Sequence, residues 1–193
     1  KPKFLKISPN NRMPAIIDPE GPGNKPISVF ESGAILQYLG RKSGKFYPKN
    51  ERERVKVDEW IYWQMCGLGP MAGQAHHFRQ YAPVKIKYAV KRYTDEVNRL
   101  YGVMNKQLKK NDYLSGRYSI ADMACWGWII PWKNQGQKLS DFPDLKRWFE
   151  QVGSRSAVKR GFATGKELRK KLLSEDTKEA KKAKSILFNQ RAR

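Results

Sequence analysis

A chain of 193 residues carrying 39 Lys and Arg against 18 Asp and Glu has a formal charge of +21 at pH 7, extreme for a cytosolic enzyme. That length allows one large or two small domains with a substantial core, and an aromatic content of 12% with six Trp excludes a disordered chain. No apolar run approaches the length of a membrane span and no secretory segment stands before the first element, so the expectation is a cytoplasmic protein with no membrane partner.

In chain order, Met13-Pro14 leads straight into the apolar Ala15-Ile16-Ile17. A proline, lacking an N–H, fits only the entrance or edge of such a strand, and an X-Pro bond there is a candidate for the cis form. The Gly and Pro residues between Asp18 and Pro26 mark a turn, and Ile27-Ser28-Val29-Phe30 reads as the return strand. Ser32 is then placed as N-cap of a helix over 33–41, with Ile35, Leu36 and Leu39 at helical spacing. The helix start offers unpaired N–H groups and partial positive charge, Ser32 a hydroxyl, and Glu31 a carboxylate able to hold an ammonium. A ligand with both an α-amino and an α-carboxylate group suits that set. A capped helix after a hairpin accounts for the same residues without a ligand.

Past Pro48 the composition turns almost wholly helical. Glu51-Arg52-Glu53-Arg54 opens an amphipathic run through Val55, Val57, Trp60, Ile61 and Trp63 to Met65, and Cys66-Gly67-Leu68-Gly69-Pro70 should loosen or kink it. A further piece over 71–81 carries His76-His77-Phe78, and a second long helix is predicted over 83–108. Two long helices with a short connection pack antiparallel, the mark of an all-α domain. Ser119 and Asp122 then have the S-x-x-D spacing of a reciprocal cap ahead of an apolar helix over 123–132, with Tyr118 and Met123 placed as a hydrophobic staple. Cys66 and Cys125 lie in apolar helical patterns without metal-ligand spacing, so two buried, reduced thiols and no metal site are expected. His76 and His77 are adjacent, point to different helix faces, and suit structural hydrogen bonding better than a shared ion.

Taken together, these runs resemble the glutathione transferase family, whose members place a cis-proline before strand three and an acidic-Ser pair at the start of helix three. The match is to the bacterial disulfide-reductase, yeast-prion-related (Nu-like) branch, which shares W-x-x-W-Q-M-x-x-x-x-P-M-x-G-Q-x-H-H-F with residues 60–78. The Ser119–Asp122 box and Phe142-Pro143-Asp144-Leu145-Lys146-Arg147-Trp148 fit the buried and closing helices of that family's C-terminal domain. The resemblance implies an α+β protein: a partial thioredoxin-like glutathione-binding domain over 1–48, an all-helical domain over 49–168, and a basic tail over 169–193. It implies that Glu31 and Ser32 hold the γ-glutamyl end of glutathione, and that the backbone of Met13, before Pro14, pairs with its cysteinyl peptide. Arg92, in Tyr88-Ala89-Val90-Lys91-Arg92-Tyr93, carries over as a carboxylate partner, for which a guanidinium fork is suited, and Gln64 as a further lining residue.

The same resemblance implies a homodimer that uses glutathione as co-substrate, without a metal, on a small electrophile or a disulfide. Lys1-Pro2-Lys3-Phe4-Leu5 resembles the stub of helix two, so the first strand–helix–strand unit, with the residue that activates the thiol, is expected to lie outside these residues. No Tyr, Ser, Cys or Asn of this chain is assigned that role. The competing readings are a non-catalytic interaction or dimerisation module and, from charge alone, a nucleic-acid-binding protein. Retention of Glu31, Ser32 and Arg92 disfavours the first. No motif for specific DNA or RNA recognition accompanies the charge, and a solvated basic tail with weak polyanion affinity is the expected meaning of the excess.

Overall fold

The computed structural model describes residues 2–167 together with 178, 180, 181 and 185. Apart from those last four positions, the basic tail expected over 169–193 lies outside the described residues. The chain divides into two compact units, Lys1–Glu150 and Gln151–Arg193.

A short turn of helix α1 (Pro2–Leu5) precedes the antiparallel pair β1 (Ala15–Asp18) and β2 (Ile27–Phe30). The pair is joined by a turn in which Gly23 adopts φ 69°, a conformation suited to glycine. Helix α2 (Ser32–Ser43) follows and ends on Gly44 in the left-handed conformation that closes helices. It is fastened to β1 through Asp18, whose carboxylate accepts from Lys42 Nζ and Tyr38 Oη, both at 2.5 Å. Those two partners, Lys42 first, hold the Asp18 carboxyl below its ordinary value.

Helix α3 (Glu51–Trp63) starts where Asn50 accepts the N–H of Glu53. The loosening expected at Cys66–Pro70 takes a particular form. The chain does not break there but widens into a π-turn over Gln64–Leu68, then runs on as α4 (Gly69–His76) with Pro70 in its first turn, and ends in a second π-turn, His77–Tyr81. Pro70 has no N–H to give to the preceding turn, and the wide turn just before it is where the helical ladder accommodates that missing bond. The wide turn also shifts the helical phase, and this corrects the expectation for Cys66: it is exposed, whereas Cys125 is buried, and both are free thiols. Burial pushes the Cys125 thiol well above its ordinary value.

Helix α5 (Lys87–Leu108) begins four residues later than predicted, Pro83 leaving the intervening residues as a turn. Its inward stripe of Val97, Leu100, Tyr101, Met104 and Leu108 is closed to solvent. Helix α6 (Ile120–Ile129) opens on the reciprocal cap read from the sequence: Asp122 Oδ2 accepts the N–H of Ser119 at 2.9 Å while the Ser119 hydroxyl accepts from the backbone of the first turn. The helix therefore starts three residues before the apolar run over 123–132. Tyr118 sets its ring edge-on to Phe46 and Tyr113. Asp122 is itself wholly buried, and its Oδ1 accepts from Leu114 N and Trp148 Nε1. Burial pushes its carboxyl up against the downward pull of these donors.

Trp148 belongs to α7 (Pro143–Ser154), whose first N–H groups, at Asp144 and Leu145, are capped by Asn105 Oδ1. The second unit contains α8 (Ser156–Ala163). Between α3 and α6 the buried Tyr47, Val57, Ile61, Ile120 and Ala121 form a core against which Leu36, Met65 and Met123 pack, so α2 and the first π-turn share one apolar centre.

Candidate functional site

The sheet register builds the site. Ala15 pairs with Phe30 and Asp18 with Ile27, so Pro14 and Glu31 flank the last paired residues at one end of the hairpin. The Met13–Pro14 peptide is cis, and Met13 is 87% exposed. Glu31 stands between strand and helix at φ 69° and ψ 122°, a positive φ unusual for a residue with a side chain. Its carbonyl accepts the N–H of Ile35 at 2.9 Å, the first bond of α2, and its carboxylate takes a long contact from Asn10 Nδ2 at 3.4 Å.

Ser32 is not the N-cap. Glu31 occupies that position and makes no side-chain cap, because the backbone reverses at Glu31 and the helix begins one residue early. Placed in the first turn, the Ser32 hydroxyl points toward Met65 Sδ at 3.7 Å. A Cβ added at the neighbouring Gly33 would lie 3.2 Å from Met65 Cε and 3.3 Å from its Cγ, so the start of α2 rests directly on the first π-turn. A larger residue at Gly33 would require Met65 to give way by a few tenths of an ångström.

Gln64 opens this π-turn and is 3% exposed; its amide nitrogen lies 2.6 Å from where a Gly69 side chain would begin, which places the amide against the α4 backbone. Arg92 is exposed on α5 and is hydrogen-bonded neither to Glu31 nor to Ser32. Its charge acts on Glu96, one turn on, whose carboxyl is held low first by Arg99 and then, more weakly, by Arg92. The structure thus puts Pro14 before β1 and Glu31 after β2 at the same end of the hairpin, sets Gln64 next to the Met65 that Ser32 touches, and leaves Arg92 on a separate helix.

Sequence reasoning missed Asn10 and Met65 as neighbours of the pair. Nothing local marks Asn10, whereas Gly33 directly after Ser32 is a signal that another element approaches closely. His76 is partly buried, stacks its ring on Tyr81 at 5.1 Å and lies 3.5 Å from Asn134, which agrees with a structural role. Burial lowers its pKa. No cluster of His, Cys, Asp or Glu able to hold a metal occurs among the described residues, and among them no helix is long and apolar enough to cross a membrane.

What the arrangement offers chemically is a carboxylate beside the open N–H groups of a twelve-residue helix, with the cis Met13–Pro14 peptide leading into the strand that pairs next to it. The model of the glutathione S-transferase N-terminal domain matches residues 1–41, and that of the glutathione S-transferase C-terminal domain residues 69–156. The chain belongs to the glutathione transferase family.

Within the family it stands with the disulfide-bond oxidoreductases. It is 49% identical over 160 residues to the disulfide-bond oxidoreductase YfcG of Escherichia coli, covering 82% of this chain and 74% of that protein. It is 39% identical over 166 residues to YghU of the same organism, also a disulfide-bond oxidoreductase, covering 82% of this chain but only 57% of that one. Among solved structures, a glutathione transferase of Burkholderia graminis with two glutathione molecules bound per subunit superposes with a TM-score of 0.80 at 38% identity, over 84% of this chain and 71% of that one.

Proposed function

We propose that this chain binds glutathione at the start of α2 and serves the chemistry of its family there, conjugating the tripeptide to a small electrophile or using it to reduce a disulfide. Glu31 takes the γ-glutamyl ammonium, while the Ser32 hydroxyl and the first N–H groups of α2 take the adjoining carboxylate. The backbone of Met13, before Pro14, pairs with the cysteinyl peptide, and Arg92 and Gln64 contribute from the helical part. The observation that carries the reading is the pairing of Ala15, which follows Pro14, with Phe30, which precedes Glu31. The relatives add support: two are disulfide-bond oxidoreductases, and one solved structure holds glutathione.

No residue of this chain is proposed as the group that activates the thiol. The protein acts as a cytoplasmic homodimer in this reading, and its domains divide at residue 48, with helices over 49–168 and a basic tail beyond. Calorimetric titration of the protein with glutathione tests the site. Glu31→Ala and Ser32→Ala should each lose a charge-assisted contact, about 1.5–3 kcal/mol, which is roughly ten- to a hundredfold in Kd. Arg92→Ala should weaken binding in the same direction and leave the fold intact, since the residue is exposed. Unchanged affinity in both the Glu31 and Ser32 variants would overturn the assignment.

A further inference from the structure

One side of α2 meets the helical part through Gly33, Gln37 and Gly40, which share a face of the helix. At the two ends of that face the contact is smooth. A Cβ at Gly33 would lie 3.2 Å from Met65 Cε and 3.5 Å from Ile61 Cγ2, and one at Gly40 only 2.6 Å from Tyr47 Cβ. Between them the contact is polar. Gln37 Nε2 donates to Asp58 Oδ1 at 2.7 Å, and Tyr47 Oη donates to the same carboxylate at 2.8 Å and 3.1 Å. Along α3 and into the π-turn, Asp58 therefore meets Gln37 while Ile61 and Met65 meet Gly33.

Asp58 is half-buried and forms no ion pair among the described residues, so its carboxylate serves neutral donors alone. A carboxylate held against a helix in this way adds little net stability, because an apolar side chain of similar volume would pack there without the cost of desolvation. What it adds is direction. Tyr47 is buried, and burial first and the Asp58 bond second push its phenol up to about 12, so it remains a donor at neutral pH. Arg54 lies over the Tyr47 ring at 5.4 Å and donates to the carbonyls of Pro48 and Lys49, so the ring that holds Asp58 is itself held.

We infer that Asp58 is a positioning residue of the glutathione site: by accepting from Gln37 it fixes the rotation of α2 on α3, and with it the direction in which Glu31, Ser32 and the first N–H groups of α2 face the ligand. The inference rests on the glutathione reading given above. Smooth contacts at Gly33 and Gly40 oppose a turn of α2 about its axis only weakly. A turn by one residue, about 100°, would carry Gln37 out of hydrogen-bonding reach of Asp58. Ser32 precedes Gln37 in the same helix by about 7.5 Å along its axis, so it follows any rotation set there. The bond from Ile35 N to the Glu31 carbonyl, at 2.9 Å, ties Glu31 to the same body.

The test pairs calorimetric titration of the whole protein with glutathione, well below its melting temperature, with amide hydrogen exchange. Asp58→Leu fills the same space without an acceptor and should weaken glutathione binding by about three- to tenfold, the weight of one hydrogen bond. Asp58→Asn keeps an oxygen for Gln37 and Tyr47 and should bind like the parent. The N–H of Ile35 should exchange faster in Asp58→Leu, while that of Leu100 in α5 is unmoved. A purely structural loss, such as Ser119→Ala, lowers the melting temperature and leaves Kd where it was. The inference is overturned if Asp58→Leu binds glutathione as tightly as the parent, if Asp58→Asn weakens it as much as Asp58→Leu, or if exchange at Ile35 is unchanged. A parent that takes up no glutathione overturns the glutathione reading instead, and exchange at Ile35 then decides by itself whether Asp58 positions the start of α2.

Discussion

Along α5, the side chains of Val97, Leu100, Tyr101, Met104 and Leu108 are shut away from solvent, whereas along β1 and β2 Ile17, Ile27 and Phe30 each keep more than a third of their surface open. The helical part closes its polar ends as thoroughly as its apolar face: Asp122 alone receives Leu114, Ser119 and Trp148, and Asn105 caps α7. Among the described residues the sheet is two strands, tied to α2 through the Asp18–Tyr38–Lys42 cluster. A lone pair of strands is marginal by itself, so its order is borrowed from the helices on which α2 rests. The candidate ligand residues Met13, Pro14, Glu31 and Ser32 all sit on this less buried side. Segments that bind are commonly drawn from the low-stability end of a structure, where local adjustment is easiest.

The contrast can be broken from the helical side first. Trp148→Ala removes a fully buried ring and leaves Asp122 one donor short, and should cost about 3–5 kcal/mol in a thermal or denaturant melt. A loss below about 1 kcal/mol would mean that the helical part is not the rigid half. Ser119→Ala should cost roughly 1 kcal/mol through the lost cap, with glutathione affinity per folded molecule unchanged. A melt identical to the parent's would show that the cap contributes nothing. On the sheet, Ile17→Ser alters a side chain already 60% exposed and should stay within about 0.5 kcal/mol; a loss several times larger would erase the distinction between the two regions.

The smallest effect is one of pH. Burial lowers the pKa of His76, so the folded molecule resists the proton that the unfolded chain accepts. Its contribution is therefore full above the unfolded value of about 6.5 and is lost as pH falls through that value toward the lowered folded one. His76→Gln should flatten the melting temperature between neutral and mildly acidic pH. A parent and a variant with parallel profiles would remove His76 as the cause.

What the sequence made legible were features governed by local chemistry. The Ser119–Asp122 cap needs only two side chains at fixed spacing, and it forms as read. Met13-Pro14 before an apolar triplet likewise marked the strand entrance, and the Gly and Pro residues after Asp18 marked the turn to the return strand. Features set by approach from elsewhere were not legible. Ser32 has the chemistry of an N-cap, but the positive φ of Glu31 moves the helix start and Met65 receives the hydroxyl instead. Cys66 fits an apolar helical stripe until the π-turn at Gln64–Leu68 rotates it outward, and a π-turn leaves no spacing of its own in the sequence.

The central claim is that glutathione lies with its γ-glutamyl end at Glu31 and Ser32, and a crystal structure of the protein grown with glutathione tests it most directly. The expected result is a γ-glutamyl ammonium within hydrogen-bonding distance of the Glu31 carboxylate, its carboxylate on Ser32 and the first N–H groups of α2, and its cysteinyl peptide beside Met13. Glutathione bound with its γ-glutamyl group away from Glu31 and Ser32, at full occupancy, would contradict the account.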